Sequence, residues 1–565
     1  MDKYIWNFDE FCKSDKDFYD RLDKLSIGIK NIKDKKINDL YDTLKSYFAL
    51  ALEREKLYTY AELNSDIKIG EEKYIKMKEE LDKVYNNLKK YQTKIVNYIL
   101  SLNKEKDELI NKDKRLKEYD MYLYEVLRNK RSYITNDKII DDTNKMHKIN
   151  EEYKKEIENA DYLYENNERI NISGYNKLSK DVSREEKEKL FDKLLLGLKT
   201  VNKSVSKLFI ERVKLCLEIS KEKKYKDSLE ETLIDNDLPN NIVDNLIEVT
   251  NDNINLLRKY EQIVCKNNNI EKYNYLDKLE TDIKFNMEYE DAVEDVKEAL
   301  KILGKDYVSK LDKVFNSNSI DVYPRKGKVN GGYNFRNYTK PMILMNYNGN
   351  YQSVSTVAHE TGHAVNGIMI KEHEPYQNFY SSVFLSETAS KTNEELLKHY
   401  YEKNKDMKKF ILTAKINDFI SSVYMQCIYL EFEKNVYDLE RENKNITCDT
   451  LNNLFYNIFT KYFGKDSVTE NIKYFWVSRL HYFYNDYRFY NYQYAYGLIS
   501  SIYISENIIE SKNDMLNKYI EFLKTGGSKS TKDSLKILGI DYSKKDALKE
   551  AFKYFDNLLN EYKNG

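Results

Sequence analysis

The chain has 565 residues, more than one hydrophobic core usually fills, so two or more packed lobes are expected. Its 93 lysines and arginines nearly balance 94 aspartates and glutamates, a well-solvated surface without the single-sign field that would favour nucleic acid as a partner. The five cysteines are scattered and never spaced C-x-x-C, the N-terminus leads into acidic sequence without an apolar signal core, and no run of about 18 apolar residues occurs, so the expectation is a cytoplasmic protein with reduced thiols and no membrane partner.

Glycine and proline are scarce, and apolar residues return every three or four positions, which predicts a mostly α fold. Tyr74, Met77, Leu81, Val84, Leu88, Tyr91, Ile95 and Tyr98 step alternately by three and four, as one long helix packed along a neighbour requires. The pattern breaks near Asn103 and resumes through Leu109, Leu116 and Leu123, as the second arm of a helical hairpin would. Residues 1–110 are read as an N-terminal helical lobe, 111–198 as a further, strongly charged helical segment of it, and 199–565 as the domain that carries the chemistry. Composition shifts at 318–350, where short apolar runs such as Ile320-Asp321-Val322 and Met342-Ile343-Leu344 are bounded by Gly, Pro and Asn; one small β-sheet is expected there.

Helical sequence resumes at once with Val357-Ala358-His359-Glu360-Thr361-Gly362-His363, an H-E-x-x-H pattern in a chain with only 6 histidines. On a helix, His359 and His363 project from one face and can reach a single Zn²⁺. Glu360 stands beside such an ion, where it can take a proton from a water that attacks a carbonyl. A catalytic zinc needs a third protein ligand. The metzincin arrangement is excluded, because position 369 is Met. Glu387, 24 residues beyond His363 and past Pro375, is one candidate, and His373, in a polar loop-like segment, is its rival. Glu394, seven residues after Glu387, shares its helical face and could hydrogen-bond a ligating imidazole.

These residues resemble the thimet-type zinc metallopeptidases. Glu387-Thr388-Ala389-Ser390 with Asn393-Glu394 is similar to that family's third-ligand helix, and Ile320-Asp321-Val322-Tyr323 with Gly327-Lys328 and Gly332-Tyr333 to its substrate loop. Weaker similarity reaches Trp6-Asn7-Phe8-Asp9-Glu10-Phe11 and Tyr58-Thr59-Tyr60-Ala61-Glu62-Leu63. The resemblance implies two helical lobes enclosing a deep channel, one Zn²⁺ per chain on His359, His363 and Glu387, and hydrolysis of internal bonds in short oligopeptides. It also extends to the run from His481 to Gly497. There it implies that His481 and Tyr490, with Tyr487 or Tyr494 as alternatives, bind the substrate carbonyl as it becomes tetrahedral; a neutral donor so placed contributes roughly 3–4 kcal/mol. Thr361 departs from the family's usual apolar residue and Arg488 from its common Pro, which leaves the turn beside Phe489 open.

A bound peptide is expected to pair with an edge strand near Met342–Asn346, with Gly331 and Gly332 allowing close approach. Two other classes fit parts of the sequence. A zinc carboxypeptidase of similar helical fold would need a cationic or amide-donor pocket for a free C-terminus, and a metal-free helical interaction protein would make use of the long arm at Tyr74–Tyr98.

Overall fold

The long arm is a single helix. In the computed structural model, which describes residues 4–180, 182–281, 283–484, 487–512 and 514–564, it runs from Glu72 to Ser101. Tyr74, Met77, Leu81, Leu88, Tyr91 and Ile95 are buried and Val84 and Tyr98 half-buried, so the stripe of period three to four is the packing face. Asn103 ends the run with φ +48°, a left-handed conformation that Asn tolerates. The return arm is broken into Lys106–Lys112, a 3-10 segment Lys114–Tyr119 and Asp120–Arg128. Asp113 makes the break, since its carboxylate accepts the backbone N–H of Arg115 and caps a new turn. Leu109, Leu116 and Leu123 nevertheless join Trp6, Phe18, Leu57 and Ile95 in one core.

Two compact units are present, and neither is continuous in sequence. The first comprises the chain up to Lys130, Lys284–Asn404 and Ser500–Ile540; the second comprises Arg131–Ile283, Lys405–Ile499 and the chain from Asp541. Among the described residues both are helical apart from five short strands. In the second unit β1 (Tyr164–Glu165) and β2 (Glu168–Arg169) form an antiparallel hairpin inside a stretch that reads as helix. Asn166 and Asn167 at its tip take φ of +50° and +63°, the tight turn that Asn pairs favour, and this local geometry overrides the helical pattern around it.

In the first unit β3 (Ile320–Asp321), β4 (Tyr333–Phe335) and β5 (Met342–Leu344) form the sheet expected at 318–350. Its order is β3-β5-β4, with β5 parallel to β3 and antiparallel to β4. The expectation of an edge strand at Met342–Asn346 is therefore corrected: β5 is central. Met342, Ile343 and Leu344 are all buried, as a strand covered on both faces must be, whereas β4 is half-buried and forms an edge.

The second unit is organised around a 39-residue helix, Arg184–Glu222. From it Phe209 packs on Phe432, Trp476 and Tyr482, with ring centroids 6.1, 5.7 and 5.2 Å away. Many of the chain's 51 tyrosines serve such cores. Buried Tyr424, Tyr482 and Tyr496 donate their hydroxyls to the carbonyls of Asn253, Tyr429 and Ile242 at 2.8, 3.0 and 2.8 Å, so the rings are buried without an unmade hydrogen bond. Among the described residues no helix is long and apolar enough to cross a membrane.

Candidate metal centre

Asn350 starts a 23-residue helix, Tyr351–His373, by accepting the backbone N–H of Ser353 at 2.8 Å. Val354, Val357, Ala358, Val365 and Met369 bury this histidine helix in the first unit. It stops at Glu374, whose extended backbone is the conformation that Pro375 imposes on its predecessor. The chain then enters a second helix, Val383–Glu402, the glutamate helix.

Gly362 allows the two helices to touch. A Cβ at this position would stand 2.8 Å from Ser390 Cα, 3.0 Å from Asn393 Nδ2 and 3.1 Å from Ala389 O. Asn393 fastens the contact, donating from Nδ2 to Ala358 O at 3.1 Å while its Oδ1 accepts from Tyr307 Oη at 2.8 Å. Thr361 is buried without penalty, because its hydroxyl donates to Val357 O at 2.7 Å within its own helix.

Close packing brings His359, His363 and Glu387 together, with one potential ligand atom from each lying within 4.8 Å of the others. His359 Nε2 is 3.7 Å from Glu387 Oε2, and His363 Nε2 is 3.8 Å from Glu387 Oε1. These separations are too long for hydrogen bonds. They are near the roughly 3.3 Å between neighbouring ligands of a tetrahedral ion with bonds of about 2.0–2.1 Å. Glu394 Oε1 lies 2.6 Å from His359 Nδ1 and Oε2 accepts from Ser355 Oγ at 3.0 Å. With Nδ1–H donating to Glu394, the Nε2 lone pair is directed to the cluster, so Glu394 sets the tautomer. The rival His373 does not join: its Nδ1 bonds Met369 O at 2.8 Å in the last turn of its own helix.

Electrostatics suit a cation. Burial, then the charges of His359 and Arg336, hold His363 well below the ordinary imidazole value, in the neutral form that ligates. Burial also acts downward on His359, but the hydrogen bond and charge of Glu394 outweigh it and raise its value. Glu394 stays ionised against its burial because Lys391 and His359 hold it well below the carboxylate range. Burial pushes Glu360 up to about 7.

Gly331 and Gly332 lead into β4. Gly331 has φ +91° and its carbonyl accepts from Asn346 Nδ2 at 2.8 Å, while a Cβ on Gly332 would come 3.0 Å from Thr356 Cγ2 of the histidine helix. Both therefore meet a backbone or steric demand for glycine. Asn334, on β4, donates to Glu360 O at 3.4 Å, a link that no sequence pattern signalled.

His481 and its tyrosines belong to the second unit. His481 Nε2 is 3.1 Å from Tyr494 Oη, and its ring centroid is 5.7 Å from that of Tyr490, which lies 4.6 Å from Tyr487. Tyr487 and Tyr494 are exposed, while Tyr492 and Tyr496 of the same run are core residues. Burial and Arg479 hold His481 down to about 4, so it is neutral at physiological pH. Arg488, in place of a proline, pairs with Glu231 at 2.8 Å, and Phe489, at φ +55°, donates its backbone N–H to Glu433 at 2.9 Å. Buried charges hold this turn; Asn485 and Asp486 of the same run lie outside the described residues.

Comparison with known proteins agrees with this architecture. The sequence pattern of peptidase family M3 matches residues 178–554. The oligopeptidase PepF of Bacillus subtilis is 28% identical over 542 residues, covering 92% of this chain and 80% of the relative. A solved structure from Chlamydophila abortus superposes with a TM-score of 0.86 at 22% identity, covering 99% of this chain and 98% of that one. The oligoendopeptidase F of Enterococcus faecium does so with 0.71 at 19% identity, covering 97% and 99%. At these identities the two structures show a shared helical fold. The chain belongs to peptidase family M3 and is a metallo-endopeptidase.

Proposed function

We propose that the protein is a zinc-dependent oligopeptidase that hydrolyses internal bonds of short peptides, with one Zn²⁺ held by His359, His363 and Glu387. The observation that carries this reading is the convergence of two imidazole nitrogens and one carboxylate at separations suited to one tetrahedral ion. Two imidazoles and a carboxylate are a donor set that suits zinc and leave a position for water or substrate. When bound, zinc supplies a Lewis acid that polarises the scissile carbonyl and makes a water more acidic.

Glu360 accepts a proton from the water that attacks the carbonyl carbon, and delivers it to the amine nitrogen as the C–N bond breaks. Its burial favours the protonated form and a nearby dication the ionised form, so it can both take and release a proton near neutral pH. Glu394 holds His359 in the ligating tautomer. The edge strand β4, which precedes the histidine helix, is the backbone on which we place an extended peptide, with Gly331 and Gly332 at its entry. For His481 and Tyr490 we retain the role of donors to the oxyanion, and for Tyr487 and Tyr494 that of substrate contacts; their support is the sequence resemblance and the neutral state of His481. Short peptides as substrates follow the names of the relatives. A cytoplasmic site of action is supported by five cysteines that form no disulfide.

Glu360→Gln tests the reading. The variant is expected to bind zinc as the wild type does and to lose nearly all hydrolysis of a quenched oligopeptide, whose wild-type products by mass spectrometry come from internal cuts. Undiminished turnover in the variant, or wild-type turnover indifferent to a chelator, would refute it.

A further inference from the structure

Beside His363, within the first unit, lies a cavity of about 330 Å³ whose wall includes Asn334, Arg336, Lys371 and Phe379. Arg336 follows directly on β4. Its Nη2 donates to Phe379 O at 2.9 Å and to Ser381 Oγ at 3.3 Å, and its guanidinium carbon lies 5.3 and 5.6 Å from the ring centroids of Phe379 and Tyr380. These contacts fix the plane of the group. Among the described residues its Nε and Nη1 make no hydrogen bond and the guanidinium makes no ion pair. Arg21, Arg184 and Arg488, by contrast, each rest on a carboxylate at 2.7, 2.8 and 2.8 Å. Arg336 is half-buried, and burial holds it down to about 10, which leaves it cationic at physiological pH.

The rest of the wall agrees in sign. Its two acidic residues are already engaged, Glu10 by Lys340 at 3.7 Å and Glu372 by Lys310 at 2.9 Å. Lys371, exposed, has no acidic partner among the described residues. A half-buried guanidinium whose three remaining N–H bonds meet no protein acceptor offers a site for an anion, and its planar fork selects a carboxylate. From these observations we infer that Arg336 anchors a carboxylate of the bound peptide, either its free C-terminus or an aspartate or glutamate side chain. The anchor rests on the oligopeptidase reading, because a peptide extended along β4 would bring its next residue to the end of that strand, where Arg336 stands. It makes the enzyme select peptides by charge at a fixed distance from the cut.

The test uses zinc-loaded enzyme and quenched peptides of one sequence, ending in a free acid or an amide, and carrying Glu or Gln at each flanking position in turn. Wild type is expected to prefer the carboxylate-bearing member of one pair by about 10- to 100-fold, mostly in KM, as the loss of a charge-assisted hydrogen bond predicts. Arg336→Gln should bring that ratio close to one, and Arg336→Lys should leave an intermediate ratio, since it keeps the charge without the fork. The same pairs are titrated by fluorescence anisotropy against zinc-loaded Glu360→Gln, with and without Arg336→Gln, which reads the preference without turnover. Dependence on the free acid identifies the C-terminus as the source, and dependence on Glu over Gln a side chain. Equal binding of the two members of every pair, free acid against amide and Glu against Gln alike, or a ratio that survives Arg336→Gln, overturns the inference. Absence of hydrolysis of every peptide by the wild type would instead count against the oligopeptidase reading, with the binding ratio still deciding the role of Arg336.

Discussion

Gly362→Ala would measure how far the metal centre depends on the close approach of its two helices. The added Cβ would stand 2.8 Å from Ser390 Cα and 3.1 Å from Ala389 O, both backbone atoms that no side-chain rotation can move aside. Carbon atoms pack best at about 3.5–4.0 Å, so from a 2.8 Å start the helices must separate by roughly 0.7–1.2 Å. That shift falls on Glu387, which stands 3.7 and 3.8 Å from the two histidine nitrogens. Metal–ligand bonds tolerate only about 0.2 Å. In an exposed helix the same change would stabilise by about 1 kcal/mol, but overpacking a buried contact costs about 1–3 kcal/mol. The expected result is a metal-free protein destabilised by up to about 2 kcal/mol, with zinc affinity lowered about 10- to 100-fold, as when ligand-orienting groups are lost. Competition with a chromophoric chelator reads the affinity, and thermal melting without metal reads the packing. An Ala variant that matches wild type in both would show that the histidine and glutamate helices are not held in contact here.

Two further outcomes follow from buried charge. Glu394→Gln removes the carboxylate that accepts from His359 Nδ1 at 2.6 Å, and should weaken zinc binding about tenfold or more in the same competition; unchanged affinity would mean that Glu394 does not set the tautomer. In the second unit, burial pushes Glu231 upward, but Arg488 and Lys223 hold it at about 2, below its ordinary 4.5. Its contribution is thus present above pH 4.5 and lost as pH falls through about 2: on the order of 3 kcal/mol at pH 7 and about 1 kcal/mol at pH 3. Arg488→Met should therefore lower the melting temperature more at neutral pH than at pH 3, and an equal loss at both would refute the pairing.

Much of the centre was legible because its parts are local. His359 and His363 are one helical turn apart, and a period of 3.6 residues places them on one face wherever that helix packs. The stripe from Tyr74 to Tyr98 and the shift in composition at 318–350 likewise report what a short segment must bury. The tyrosines from Tyr487 to Tyr496 were harder, since spacing alone does not separate Tyr492 and Tyr496, which fill the core, from Tyr487 and Tyr494, which are exposed.

Long-range choices needed the folded chain. Both Glu387 and His373 lie within reach of His363 along the sequence, and only the folded chain shows Glu387 beside the histidines, across the helix contact at Gly362, while His373 bonds its own helix. The central place of β5, the place of Arg336 beside His363 with no ion pair among the described residues, and the assembly of each unit from separated segments are of the same kind. Periodicity says which face of an element is buried; which partner buries it is settled by packing between segments that the sequence keeps apart.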